Sequence, residues 1–137
     1  MLRISLRDGE ALIVNGALLR ASGRTELTIE NRASLLRGKE IMAPEEATTP
    51  ARRLYLACML AYIGSDVETH QQAIVDHLRA IMPTLPDDEA KALSVRFAHC
   101  VAVGDYYRGL SACRALIAIE DGAANAERTA PEAPIAA

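Results

Sequence analysis

The stretch NRASLLRGKEIMAPEEATTPARR, residues 31–53, decides the fold, because the residue pattern changes period across it. Before it, apolar and polar residues alternate. After it, apolar residues recur every three to four positions. The joint carries five cations (Arg32, Arg37, Lys39, Arg52 and Arg53) and three glutamates in a chain of net charge −3. It is a connector, a working surface, or both.

Upstream, Leu2, Ile4 and Leu6 alternate with Arg3, Ser5 and Arg7, the mark of a strand with one apolar face. Asp8-Gly9 turns the chain into a second strand over 11–14. Asn15-Gly16 is a hairpin signal, since both positions tolerate positive φ. A third strand over 17–21 follows, then a Ser22-Gly23 turn and a fourth strand over 25–30. This predicts an antiparallel β-meander of about four strands within residues 1–43. A sheet so small must pack on the helical part or on another chain.

Downstream, residues 44–120 predict an antiparallel four-helix bundle, so the fold class is α+β. Pro44 with Glu45 and Glu46 forms one first turn, and Thr49-Pro50 caps the next start. Ten consecutive apolar residues over 54–63 leave no polar face, which predicts a central helix ended by Gly64. Ser65 to Glu68 is a capping box for a second helix reaching about Met82. A third helix opens on Asp87, Asp88 and Glu89 and stops at Gly104; Asp105 caps the fourth, where Gly109 marks a close helix contact or a weak spot. Residues 121–137 lose the apolar period and predict a disordered Ala/Pro/Glu tail.

Aromatics are 4 % of the chain, with one Phe and no Trp, so Ala, Leu and Ile fill the core. Tyr55 and Tyr62 share a helix face, and the core reading has their hydroxyls reaching its edge. Cys58, Cys100 and Cys113 lack metal or disulfide spacing and read as buried free thiols of a reducing compartment. No apolar signal segment opens the chain, and the longest apolar run is half a membrane span. A cytoplasmic protein without membrane contact is expected.

No phosphate loop, nucleophile elbow or zinc-protease motif is present, so no catalytic residue and no cofactor are expected. His70 and His77 stand two helical turns apart, roughly 10 Å, too far to share a metal by themselves.

Charge is the better lead. Residues 1–53 sum to +2 and residues 54–137 to −5. Arg3 and Arg7 share the polar face of the first strand, Arg20 and Arg24 lie near a hairpin, and Arg32, Arg37 and Lys39 follow the last strand. Arg52 and Arg53 fall in a first helical turn, where the helix dipole disfavours cations. Pairing with Glu45 or Glu46 is the plain explanation of that placement, and a phosphate contact is the functional one. A solvated basic face is the plain reading of these cations; the functional one makes Arg3, Arg7, Arg20, Arg32, Arg37, Lys39, Arg52 and Arg53 an RNA- or partner-binding set, with Leu35, Leu36, Ile41 and Met42 pinning the joint to the core.

The series GE (9–10), VNGALLR (14–20), LTIEN (27–31), LLRGKEIM (35–42), EEATTPARRLYLACMLAY (45–62), GDYYRGL (104–110) and RALIAIE (114–120) resembles the FlbT family of flagellum biosynthesis regulators over about residues 1–120. The resemblance implies a post-transcriptional repressor that associates with the 5′ untranslated leader of flagellin mRNA. It also implies a small flagellin chaperone-like partner, FlaF; flagellin itself is a further candidate partner under the adaptor reading. Two functions follow: an RNA-binding repressor working through the basic strands, or a protein adaptor acting on the mRNA indirectly. An unpaired edge of the meander also offers self-association as a homodimer.

Overall fold

The computed structural model describes residues 1–64 and 66–129. Five strands come first: β1 (Leu2–Leu6), β2 (Ala11–Val14), β3 (Ala17–Arg20), β4 (Thr25–Ile29) and β5 (Leu35–Arg37). Four helices follow: α1 (Pro50–Ile63), α2 (Val67–Ile81), α3 (Asp88–Ala102) and α4 (Tyr106–Thr129). The α+β class and the antiparallel pairing agree with the alternation in the sequence.

The strand order is not the consecutive one of a simple meander. β1 pairs with β4, Leu2 opposite Ile29 and Leu6 opposite Thr25, while β2 lies between β3 and β5 in a second sheet. The reason is visible in β2. Neighbouring residues of a strand point to opposite faces, yet Leu12 and Ile13 are both buried. A strand buried on both faces needs a layer on each. Leu12 packs with Ile4, Leu6 and Ala21 under β1 and β4. Ile13, with Leu36 of β5, packs against the helices. The molecule is three layers deep, and β5 is a strand of the joint that three residues were too few to reveal by alternation.

The β2–β3 hairpin turns at Asn15 (φ 49°) and Gly16 (φ 86°), as its Asn-Gly pair requires. A Cβ on Gly16 would lie 2.7 Å from the carbonyl oxygen of Ile63 at the end of α1. Turn and helix end are fitted to each other. Gly16→Ala adds a backbone clash to an unfavourable φ and should cost about 2 kcal/mol in urea denaturation. A cost near zero would mean the hairpin does not rest on α1.

Thr49 accepts a hydrogen bond from the Arg52 amide and Pro50 takes the first helical position of α1. Asp66 caps α2, Asp87 caps α3 and Asp105 accepts from the Arg108 amide at the start of α4. Ser65, read as part of the α2 capping box, lies outside the described residues. The apolar run makes α1 central: it packs on α2 and on α4, and α3 packs on α4. Phe97 and Tyr55 are the largest buried side chains. Gly109 of α4 admits Cys58 and Phe97 closely, since a Cβ there would stand 3.3 Å from the Cys58 sulfur. Cys58 and Cys113 are buried free thiols and Cys100 is half-buried; burial pushes the Cys58 thiol up to about 12.

α4 continues past Glu120 to Thr129, where the sequence reading begins its tail at Asp121. Two facts explain the extension. The stretch is rich in Ala, the best helix former, and Glu120 and Asp121 are anchored at the N-terminus of α1. Arg52 reaches Asp121 with two bonds of 2.9 and 2.8 Å, and the Ala51 amide donates to Glu120 at 3.1 Å. Carboxylates complement a helix N-terminus, and Arg52 holds the Asp121 carboxyl below the usual carboxylate range. Residues 130–137 lie outside the described residues. No helix among the described residues is long and apolar enough to cross a membrane.

Candidate nucleic-acid interface

Ile4 and Leu6 face inward from β1, so Arg3, Ser5 and Arg7 face outward. Their cross-strand neighbours on β4 are polar, Thr28 beside Arg3 and Glu26 beside Ser5. The outer face of this two-stranded sheet is therefore a polar surface set with arginines.

At its end the Asp8–Gly9 turn opens a groove of about 910 Å³, lined by Arg7, Arg24 and Arg37 with Ser5, Asp8 and Glu10 among others. Local hydrogen bonds build it. Asp8 Oδ1 accepts from the Gly23 amide at 2.7 Å, which draws the Arg24 turn against the Gly9 turn. Arg20 donates to the Gly9 carbonyl at 2.7 Å. Arg37 donates to the Ser5 carbonyl at 2.9 Å and stands 3.5 Å from Glu10. The Arg7 amide, with Arg37 adding to it, holds the Glu10 carboxyl below the usual carboxylate range. Arg20 and Arg37 thus serve the walls. Among the described residues the Arg3, Arg7 and Arg24 side chains make no ion pair.

The joint is held in place by three tyrosine hydroxyls from the helices. Tyr62 receives the Leu35 amide at 3.0 Å, Tyr55 donates to the Glu40 carbonyl at 2.6 Å, and Tyr107 donates to the Glu40 carboxylate at 2.5 Å. Glu40 in turn accepts from the Arg37 amide at 3.1 Å. Leu36 is fully buried, Ile41 and Met42 pack on the helical core, and Leu35 packs under β1 and β4. The joint is a connector pinned by its leucines and tyrosines, and through Arg37 it also forms part of the groove.

The hydrogen bond to Glu40 pushes the Tyr107 hydroxyl up to about 12. A phenol raised in the folded state stabilises fully below its unfolded value near 10 and loses that contribution as pH rises through 12. Tyr107 is 43 % exposed, and solvent screening holds the bond to about 0.5–1 kcal/mol. Tyr107→Phe should cost that much at pH 8 and progressively less from pH 10 to 12, read as the gap between urea midpoints. A gap independent of pH would break the Glu40 assignment.

The remaining candidates lie elsewhere. Arg32 borders a hollow with Asn15, Tyr62 and Tyr107. Lys39 is exposed in the turn after β5. Arg52 is engaged by Asp121 in place of Glu45 or Glu46. Arg53 borders the groove between α1 and α2 with His70 and His77. Arg3, Arg7, Arg20 and Arg37 come together around β1. Arg24 completes that group, brought there by the pairing of Leu6 with Thr25 and by the Asp8–Gly23 bond. Among the described residues no three His, Cys, Asp or Glu side chains are grouped as metal ligands.

The family model described as Flagellar protein FlbT matches residues 2–123. The chain belongs to the FlbT family. A Caulobacter species has a probable flagellum biosynthesis repressor protein FlbT that is 33 % identical over 122 residues, covering 88 % of this chain and 93 % of that one. A probable flagellum biosynthesis repressor protein FlbT of Rhizobium etli is 32 % identical over 131 residues, covering 95 % of this chain and 88 % of its own. The Caulobacter vibrioides flagellum biosynthesis repressor protein FlbT is 32 % identical over 122 residues. No solved structure matches the chain. The FlbT match takes in the arginine-bearing sheet, the joint and all four helix starts.

Proposed function

We propose that this FlbT chain is a post-transcriptional repressor of flagellin synthesis that binds the 5′ untranslated leader of flagellin mRNA through the outer face of β1 and the Gly9 groove, lowering its translation or lifetime. Relatives that span nearly the whole chain are named flagellum biosynthesis repressors. One observation carries the reading. Arg7 and Arg24 line the groove and Arg3 stands on the same outer face of β1, all three without an ion pair among the described residues, while Arg20 and Arg37 fix the walls.

A guanidinium presents a planar fork of donors to phosphate oxygens. Three such groups on a fixed sheet engage a backbone segment without rearranging. No aromatic side chain lies on this face, so the strand offers no stacking platform of the kind that reads single-stranded bases. Affinity then comes chiefly from phosphates and falls steeply with salt, and preference for the leader rests on the folded shape in which that RNA presents them. The acidic balance of residues 54–137 repels RNA from the helices and confines contact to the β layers.

A second reading rests on the α1–α2 groove, where Arg53, His70 and His77 border an apolar floor that includes Leu56 and Leu60. Such a groove suits an acidic helix, and FlaF or flagellin would be the partner of an adaptor. Photo-crosslinking to thiouridine-labelled flagellin leader RNA separates the two. Crosslinked peptides are expected within residues 1–10 and 22–39. Crosslinks confined to the helices, or formed only when FlaF or flagellin is added, would replace the first reading with the second.

A further inference from the structure

We infer that two copies of the chain pair through the free edge of β3 about a two-fold axis. Backbone parity shows which groups are free. Val14 and Ala17 flank the two-residue turn, and the closing pair of such a hairpin exchanges its hydrogen bonds. Ala17 and Leu19 therefore bond to β2, and the N–H and C=O groups of Leu18 and Arg20 point away from it. The bonds from the Ala21 amide to the Glu10 carbonyl, 2.9 Å, and from the Gly9 amide to the Ala21 carbonyl, 2.8 Å, continue that parity. Among the described residues nothing takes the outward groups of Leu18 and Arg20.

The other edges are guarded. On β5 the outward groups of Leu35 meet the Tyr62 hydroxyl and the Arg37 amide meets Glu40. On β1 the Ser5 carbonyl receives the Arg37 guanidinium. β4 carries Glu26, a charge that opposes edge pairing. On β3 the one charge, Arg20, is turned onto the Gly9 carbonyl, and no side chain caps the outward backbone groups among the described residues. The strand overhangs both layers, and Leu18 and Leu19, on opposite faces, are 61 % and 44 % exposed.

The sequence of β3, ALLR, is complementary to itself when antiparallel. With Leu19 opposite Leu19 of the second copy, Leu18 and Arg20 of each copy exchange hydrogen bonds with Arg20 and Leu18 of the other. All the outward groups are then satisfied, the two Leu19 side chains meet across the axis, and each arginine faces a leucine, so like charges are never opposed. The product is one six-stranded sheet. The same edge is used by both copies and the β5 edge is capped, so assembly closes at two.

Sedimentation equilibrium of the full chain tests this, from low to high micromolar concentration. The expected mass rises from one 14.8 kDa chain to twice that value. Leu19→Lys places like charges across the axis and should weaken pairing roughly tenfold or more. Mixing it with Leu19→Glu should restore pairing, which damage to the fold could not produce. In a Cys100→Ser background, Leu19→Cys should form a covalent dimer on mild oxidation, because opposed residues of a non-hydrogen-bonded pair meet disulfide geometry. Val95→Cys, more exposed than Leu19 but on α3, should not. A chain that stays monomeric throughout, or a dimer that Leu19→Lys leaves unchanged, would overturn the inference.

Discussion

Arg7→Glu combined with Arg24→Glu should lower affinity for flagellin leader RNA by about a hundredfold or more and leave thermal unfolding almost unchanged. Both side chains are exposed and make no ion pair among the described residues, so the fold loses little. A hydrogen bond to a charged group contributes about 1.5–3 kcal/mol, and each 1.4 kcal/mol is tenfold in affinity. Two lost contacts therefore account for at least the stated factor, before the added repulsion. Reversal at Arg37 is a poorer probe, because Arg37 also ties the joint to the Ser5 carbonyl and to Glu10. Arg52→Glu serves as the contrast. It opposes Asp121 and Glu120 and should lower stability without a specific effect on RNA. Equal losses of affinity from the β1 rim and from Arg52 would show that net charge, not a site, governs binding.

Tyr55→Ala should cost about 4 kcal/mol, a large share of the roughly 5–15 kcal/mol that stabilises a domain. The ring is 2 % exposed in the middle of the helical core, and its hydroxyl satisfies the Glu40 carbonyl. Truncation leaves a cavity and an acceptor without its partner. Tyr55→Phe keeps the ring and should cost only about 1 kcal/mol. The difference between the two urea midpoints measures the packing, and the Phe variant measures the tie to the joint. If both variants cost the same, the ring does not pack as described. Because Glu40 holds the Arg37 amide, the Phe variant should also loosen the groove and weaken RNA binding modestly.

How far the sequence could be read depended on whether a feature is local. Strands β1 to β4, the Asn15-Gly16 turn and the Thr49-Pro50 helix start are each specified by neighbouring residues, and each appears where its pattern places it. The pairing of β1 with β4 depends on burying both faces of β2, a condition set by two other layers. The length of α4 depends on Arg52, some seventy positions earlier in the chain and unrecognisable as its partner from spacing. The site divides the same way. Arg3 and Arg7 are legible because alternation puts them on one face. Arg20 and Arg37 carry the same charge in the sequence, yet each is bonded to a main-chain carbonyl of the groove. Glu40 has a local partner in the Arg37 amide three residues before it, but its ties to Tyr55 and Tyr107 come from distant helices and leave no mark in the sequence.

The central claim is that the arginines around β1 contact RNA directly. Its most direct test is a titration of the purified chain alone against flagellin leader RNA, beside a scrambled leader, at two salt concentrations. Preference for the true leader and a steep loss of affinity at the higher salt are expected. Equal binding to both RNAs, or binding that appears only after FlaF or flagellin is added, would contradict it.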